Sequence, residues 1–142
     1  MVKSGVVLDT NVFVSALRSQ LGASYKLLSL VGGDAFEIAV SVPLVLEYEE
    51  VARRQARRMG LTYDDIDDIL NFVCTAADRR HIFFLWRPFL TDPSDDMVLE
   101  LAVEAGCKYI VTFNVRHFKR VEQFGVSAVT PGEFLKLIGV NR

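Results

Sequence analysis

The sequence predicts an α/β fold, with a parallel sheet of about five strands alternating with helices. Short apolar runs recur along the chain at Val6–Leu8, Phe36–Ser41, Ile82–Trp86, Tyr109–Thr112 and Val126–Val129. Between them the apolar residues repeat at helical spacing, so right-handed crossovers join the strands into one doubly wound sheet. The first run, Val6-Val7-Leu8, is unbroken and stops on Asp9, the pattern of a central strand buried on both faces. A chain of 142 residues that is 51% hydrophobic and 24% charged suits one globular domain over 1–142 and excludes a disordered one.

The elements follow in order. Val12–Arg18 reads as a short helix after the first strand, and Gly22–Leu30 as a second, with Leu27, Leu28 and Val31 on one side and Gly32-Gly33 ending it. After the strand Phe36–Ser41, the period turns helical from Pro43, with Leu44, Tyr48, Val51 and Ala52 inward and Gly60 as the stop. Glu47 sits one turn from both Leu44 and Val51, which puts its carboxylate on or beside the core-facing stripe. Thr62–Ala77 opens with Thr62 and Asp65 in capping-box spacing and turns Ile66, Ile69, Leu70 and Val73 inward. Its acids at 64, 65, 67 and 68 form a solvated face favoured by the helix dipole. Arg53, Arg54, Arg57 and Arg58 likewise read as a solvated helix face.

Ile82–Trp86 is the expected third strand, stopped by Arg87-Pro88, and Phe83, Phe84, Trp86 and Phe89 are assigned to the core or to a partner surface. Asp92-Pro93-Ser94-Asp95-Asp96 leads into a helix with Met97, Val98, Leu101, Ala102 and Ala105 inward. Tyr109–Thr112 ends on Phe113-Asn114, and Val126–Val129 precedes a last helix, Pro131–Ile138, with Phe134, Leu135 and Ile138 inward.

Composition narrows the functional classes. No apolar run reaches the length of a membrane span and no basic-then-apolar leader precedes the first strand, so a cytoplasmic protein without a membrane partner is expected. Cys74 and Cys107 stand alone, without a CxxC or a nearby His pair. They suggest buried thiols rather than a zinc site or a disulfide framework. A net charge of −2 does not exclude nucleic acid, since a bound divalent cation offsets local acids.

Ligands in open parallel sheets bind outside the carboxyl ends of the strands. That edge gathers Asp9 after the first strand, Asn114 after the fourth, Asp92, Asp95 and Asp96 from the loop before the fourth, and Glu47 from the helix after the second. Each has a plainer reading too, Asp9 as a helix cap and Asp95 and Asp96 as first-turn dipole partners with Ser94 as cap. Together they are oxygens without adjacent cations, which is costly unless a cation joins them. An all-oxygen set favours magnesium or manganese over zinc. Thr10, Asn11 and Thr112 are candidates to support the set, while Asp92 and Asp95 are supporting or alternate ligands. Arg116, His117, Lys119 and Arg120 follow Asn114, where they are placed to hold the phosphates of a bound nucleic acid.

The motifs Val6-Val-Leu-Asp-Thr-Asn-Val12, Val42-Pro-Leu-Val-Leu-Glu-Tyr48, Asp92-Pro-Ser-Asp-Asp96, Tyr109-Ile-Val-Thr-Phe-Asn114 and Thr130-Pro-Gly-Glu-Phe-Leu135 together resemble the PIN-domain nucleases, in order and over nearly the whole chain. The chain is most similar to the compact VapC-like members, toxin components of toxin–antitoxin pairs. The resemblance implies a three-layer α/β/α fold around a central parallel sheet. It also implies a magnesium- or manganese-dependent endoribonuclease, often a homodimer, inhibited by a small antitoxin. Its acidic positions fall on Asp9, Glu47 and Asp96, and its fourth, usually acidic position falls on Asn114. His117 stands where an acid often follows. The alternatives are an RNA-binding module with weak or lost chemistry and a haloacid-dehalogenase-like phosphatase. Asn11 argues against the phosphatase, because an amide cannot donate the proton that the second acid of that motif supplies.

Overall fold

In the computed structural model, which describes residues 3–81, 89–90 and 92–140, Val6 and Val7 are fully buried and Leu8 is 2% exposed. Strand β1 (Ser4–Leu8) is accordingly the centre of the sheet. With β2 (Phe36–Ser41), β3 (Asp78–Arg80), β4 (Tyr109–Val111) and β5 (Ser127–Val129), it forms a sheet of order β3-β2-β1-β4-β5. Every pairing is parallel: Val6 lies beside Ile38 on one side and Tyr109 on the other.

The helices are α1 (Thr10–Arg18), α2 (Ala23–Ser29), α3 (Val42–Met59), α4 (Tyr63–Ala76), α5 (Pro93–Glu104) and α6 (Pro131–Leu137). Ser41 caps α3, and Thr62 and Thr130 cap α4 and α6 through reciprocal capping boxes, so orphan N–H groups are satisfied at all three starts. Gly60 ends α3 at φ 71°, a left-handed conformation open to glycine at little cost.

Most of the inward residues expected from spacing are buried, among them Leu27, Leu44, Tyr48, Ala52, Ile66, Val73, Val98, Leu101 and Phe134. Leu28, Val51, Ile69, Met97, Ala105 and Ile138 are partly buried against the same core. Two arginines of the basic face of α3 are paired, Arg53 with Asp67 of α4 at 3.0 Å and Arg54 with Glu50 at 2.8 Å. Tyr48 ties α3 to the central strand: its ring stacks on Phe13 at 4.4 Å between centroids, and its hydroxyl donates to the Leu8 carbonyl.

The structure differs from the sequence expectation in three places. Helix α1 starts at Thr10, two residues earlier, with Asp9 as its cap. The third strand is Asp78–Arg80, which pairs with Ala39–Ser41; the expected Ile82–Trp86 run, with Phe83, Phe84 and Trp86, lies outside the described residues. The stretch Val115–Phe124 forms 3-10 helical turns, kinked at Phe118. Among the described residues no helix is long and apolar enough to cross a membrane. Cys107 is buried and Cys74 half-buried, both as free thiols.

Candidate functional site

The chain passes from β1 to β2 on one side of the sheet and from β3 to β4 on the other. The crevice between the carboxyl ends of β1 and β4 is therefore the topological switch point, where parallel sheets bind ligands. A cavity of about 550 Å³ opens there, lined by Asp9, Thr10, Asn11, Glu47, Asp92, Asp95, Phe113 and Asn114.

Asp9 is 7% exposed and fixed from two sides. Its Oδ1 accepts the Thr10 N–H at 2.9 Å, and its Oδ2 accepts the Thr112 hydroxyl at 2.7 Å. Thr112, fully buried, also accepts the Asn114 N–H at 3.0 Å, so one side chain joins the ends of β1 and β4. Asn11 closes the same junction by accepting the Phe113 N–H at 3.4 Å. The Thr10 hydroxyl donates to Glu47 Oε2, which brings the α3 carboxylate to the cleft wall.

Asp95 and Asp96 are both 7% exposed, yet they face different ways. Asp95 lines the cleft. Asp96, which the resemblance assigned to the acidic set, is turned to the preceding loop and accepts the Leu90 N–H at 2.8 Å and the Phe89 N–H at 3.2 Å. Its carboxylate accepts from two backbone donors, and it is not among the cleft-lining residues. Asp92 caps α5 through the Ser94 N–H at 2.9 Å and still borders the cleft. Asn114 lines the cleft and makes no side-chain capping bond to the backbone of the following turns.

The electrostatics mark the acids as strained together. Burial raises the Asp9 pKa; hydrogen bonds from Thr112 and Thr10 oppose the rise, and the charges of Glu47 and Asp92 add to it. Asp95 is pushed up to about 6, first by burial, then by Asp9 and Asp92. His117, with Nδ1 3.6 Å from Asp95 Oδ2, acts the other way. Among the described residues no lysine or arginine pairs with Asp9, Glu47, Asp92 or Asp95. No three of these side chains already stand in ligating geometry among the described residues. The donor set nonetheless fits a hard cation that keeps much of its water shell and takes one or two carboxylates directly, as magnesium does.

A second cavity of about 500 Å³ shares Asp92 and Asp95 with the first and is lined by Arg116, His117, Lys119 and Arg120. The four basic residues do not serve alike. Arg120 donates to the Phe89 carbonyl at 2.7 Å and lies over the Phe89 ring at 4.0 Å, so its guanidinium holds the loop before α5 instead of standing ready for phosphate. Sequence reasoning missed Arg18 and Gln55, which line the far end of the cleft and bond to each other at 3.2 Å. The signal was present, since Asn11, Ser15 and Arg18 recur at the i, i+4, i+7 spacing of one helix face.

Switch-point topology and an acidic cleft define a class: a parallel α/β domain whose site is lined by oxygen donors. The profile of the PIN domain family matches residues 5–116. The chain belongs to the PIN domain family. Among solved structures, a chain of the crystal structure of VapBC2 from Rickettsia felis bound to a DNA fragment from their promoter is similar in fold. It has a TM-score of 0.60 at 15% identity and covers 89% of this chain and 98% of that one. No curated protein matches the sequence.

Proposed function

We propose that this protein is a divalent-metal-dependent endoribonuclease acting on single-stranded RNA, with Asp9 and Asp95 holding magnesium or manganese. The observation that carries the reading is the pair of buried cleft carboxylates whose pKa values are both raised, Asp9 by burial and the charges of Glu47 and Asp92, Asp95 by burial and the charges of Asp9 and Asp92, with no ion-paired lysine or arginine among the described residues. When bound, such a cation polarises a phosphate oxygen and lowers the pKa of a water molecule. The chain's own residues do the rest. Thr112 and the Thr10 N–H fix the Asp9 carboxylate, Thr10 positions Glu47, and Glu47 and Asp92 supply acceptors for the protons of ordered water. Asn114 contributes a neutral amide oxygen where the family more often has an acid. Arg116, His117 and Lys119 border the adjoining cavity and are assigned to RNA phosphates.

The family and the fold likeness to a VapBC2 chain support a second part of the proposal, that the protein is the toxin of a toxin–antitoxin pair and acts in the cytoplasm as a homodimer. Exposed apolar residues, Val42 at 63% and Leu46 at 57% on α3 and Leu137 at 57% on α6, are available to a second copy or to an antitoxin.

Cleavage of a single-stranded RNA oligonucleotide, with and without manganese, tests the reaction. Manganese-dependent shortening is expected, and intact RNA at all metal concentrations would overturn it in favour of a binding module. Light scattering tests the assembly: only monomer at high micromolar concentration would refute the dimer. A small open reading frame beside the gene is expected for the antitoxin.

A further inference from the structure

Phe113 is 50% exposed although it follows a buried strand and a fully buried Thr112. Single exposed aromatics are ordinary on protein surfaces, and Phe72 at 47% needs no further account. Phe113 differs in where it stands and how it is held. It lines the acid cleft beside Asn11, Asp95 and Asn114. Its own N–H donates to Asn11 and the next N–H donates to Thr112, while the Thr112 N–H stays in the sheet through the Val129 carbonyl at 2.8 Å. The backbone is therefore pinned on both sides of the ring, which lowers the ordering cost of any contact that the ring makes. At the other end of the cleft stands Arg18, held by Gln55. From Asn11 to Arg18 the helix rises about 10 Å, the length of about three stacked nucleotides at ~3.4 Å each.

We propose that Phe113 is a stacking platform for an unpaired base at the cleft that Asp9 and Asp95 line, and that Arg18 receives a phosphate further along the same strand. The proposal rests on the nuclease reading and names the residues that give it a preference for single strands. In a duplex both faces of a base are covered by its neighbours, whereas an unpaired base can be splayed onto an aromatic ring. Stacking is tolerant of base identity, because every base has a π-face. Phe113 thus selects strandedness rather than sequence. The guanidinium of Arg18 suits a phosphate through its fork of donors.

The test compares the parent, Phe113→Ala and Phe113→Trp on an eight-nucleotide single-stranded RNA, on the duplex of the same sequence, and with an abasic octamer as competing inhibitor. Phe113→Ala should raise KM at least about fivefold with little change in kcat, and Phe113→Trp should restore it. The abasic octamer, which keeps the phosphates but offers no base, should inhibit parent and Phe113→Ala equally. Arg18→Ala should weaken binding of every oligonucleotide and lower the salt slope by about one. Equal KM for parent and Phe113→Ala while RNA is still cut overturns the stacking role and leaves the nuclease reading standing. A parent that neither binds nor cuts RNA overturns both. A Phe113→Ala variant whose mass in light scattering changes while KM does not shows that the ring faces a protein copy, and overturns the proposal.

Discussion

Asp95 and Asp96 occupy successive positions in the first turn of α5, and a helix turns by about 100° per residue, so the two carboxylates leave the helix in different directions. Asp95 meets the other acids, and Asp96 meets the N–H groups of residues 89 and 90. Asp95→Asn should abolish metal-dependent cleavage and raise the melting temperature of the metal-free protein, because one of several mutually repelling charges is removed. Asp96→Asn should lower the melting temperature by the loss of charge-assisted bonds worth about 1.5–3 kcal/mol and leave metal affinity near the parent's. Thermal melts with and without chelator check both, and the reverse ranking would return Asp96 to the metal. Asn114 lies in the cleft without a capping bond. Asn114→Asp should therefore tighten manganese binding in a calorimetric titration, since charge count tunes such sites; unchanged affinity would place the side chain away from the ion. The sequence made the acids legible as a group, because strand ends and helix starts locate them to within a turn. It could not phase α5, whose start depends on Asp92 acting as cap rather than Ser94.

At the scale of elements, strands β1 and β4 were legible because burial on both faces demands continuous apolar runs, and β2 because it is mostly apolar around its exposed Glu37. Strand β3 was not. Asp78-Arg79-Arg80 has no apolar alternation and lies at the sheet edge, where charged residues guard unpaired backbone. The turns of Val115–Phe124 were missed for a related reason: only Phe118 and Val121 are buried there, too few to set a period. That segment nevertheless carries Arg120, which anchors Phe89, whose ring also packs edge-on against Phe124 at 5.1 Å. Arg120→Ala should cost about 1 kcal/mol in a denaturant melt through the lost cation–π contact and carbonyl bond. Lys119→Ala should leave stability within about 0.5 kcal/mol and weaken RNA binding more than Arg120→Ala does. Filter binding at two salt concentrations separates the pair, and a larger binding loss for Arg120→Ala would restore it to the phosphate-contacting group.

For the molecule as a whole, the sheet order places the acids of β1, α3 and α5 at one switch point, and packing holds them there whether or not an ion joins them. Tyr48 fixes α3 to β1 through the Leu8 carbonyl, and Thr112 fixes β1 to β4 through Asp9, so the cleft has little freedom to splay and relieve its charge. Binding of a cation to the folded state alone must then appear as global stabilisation. At a hundredfold excess over the dissociation constant, that linkage amounts to about 2.7 kcal/mol. For a chain of 142 residues it corresponds to a rise of about 10 °C in melting temperature. Manganese should produce the larger rise, because magnesium gives up its water shell more reluctantly and Asn114 withholds one charge that would compensate. Differential scanning calorimetry of the parent, Asp9→Asn and Asp95→Asn across a manganese series measures it. The parent should climb with concentration and both variants stay nearly flat; a parent curve as flat as theirs would remove the cation from this cleft.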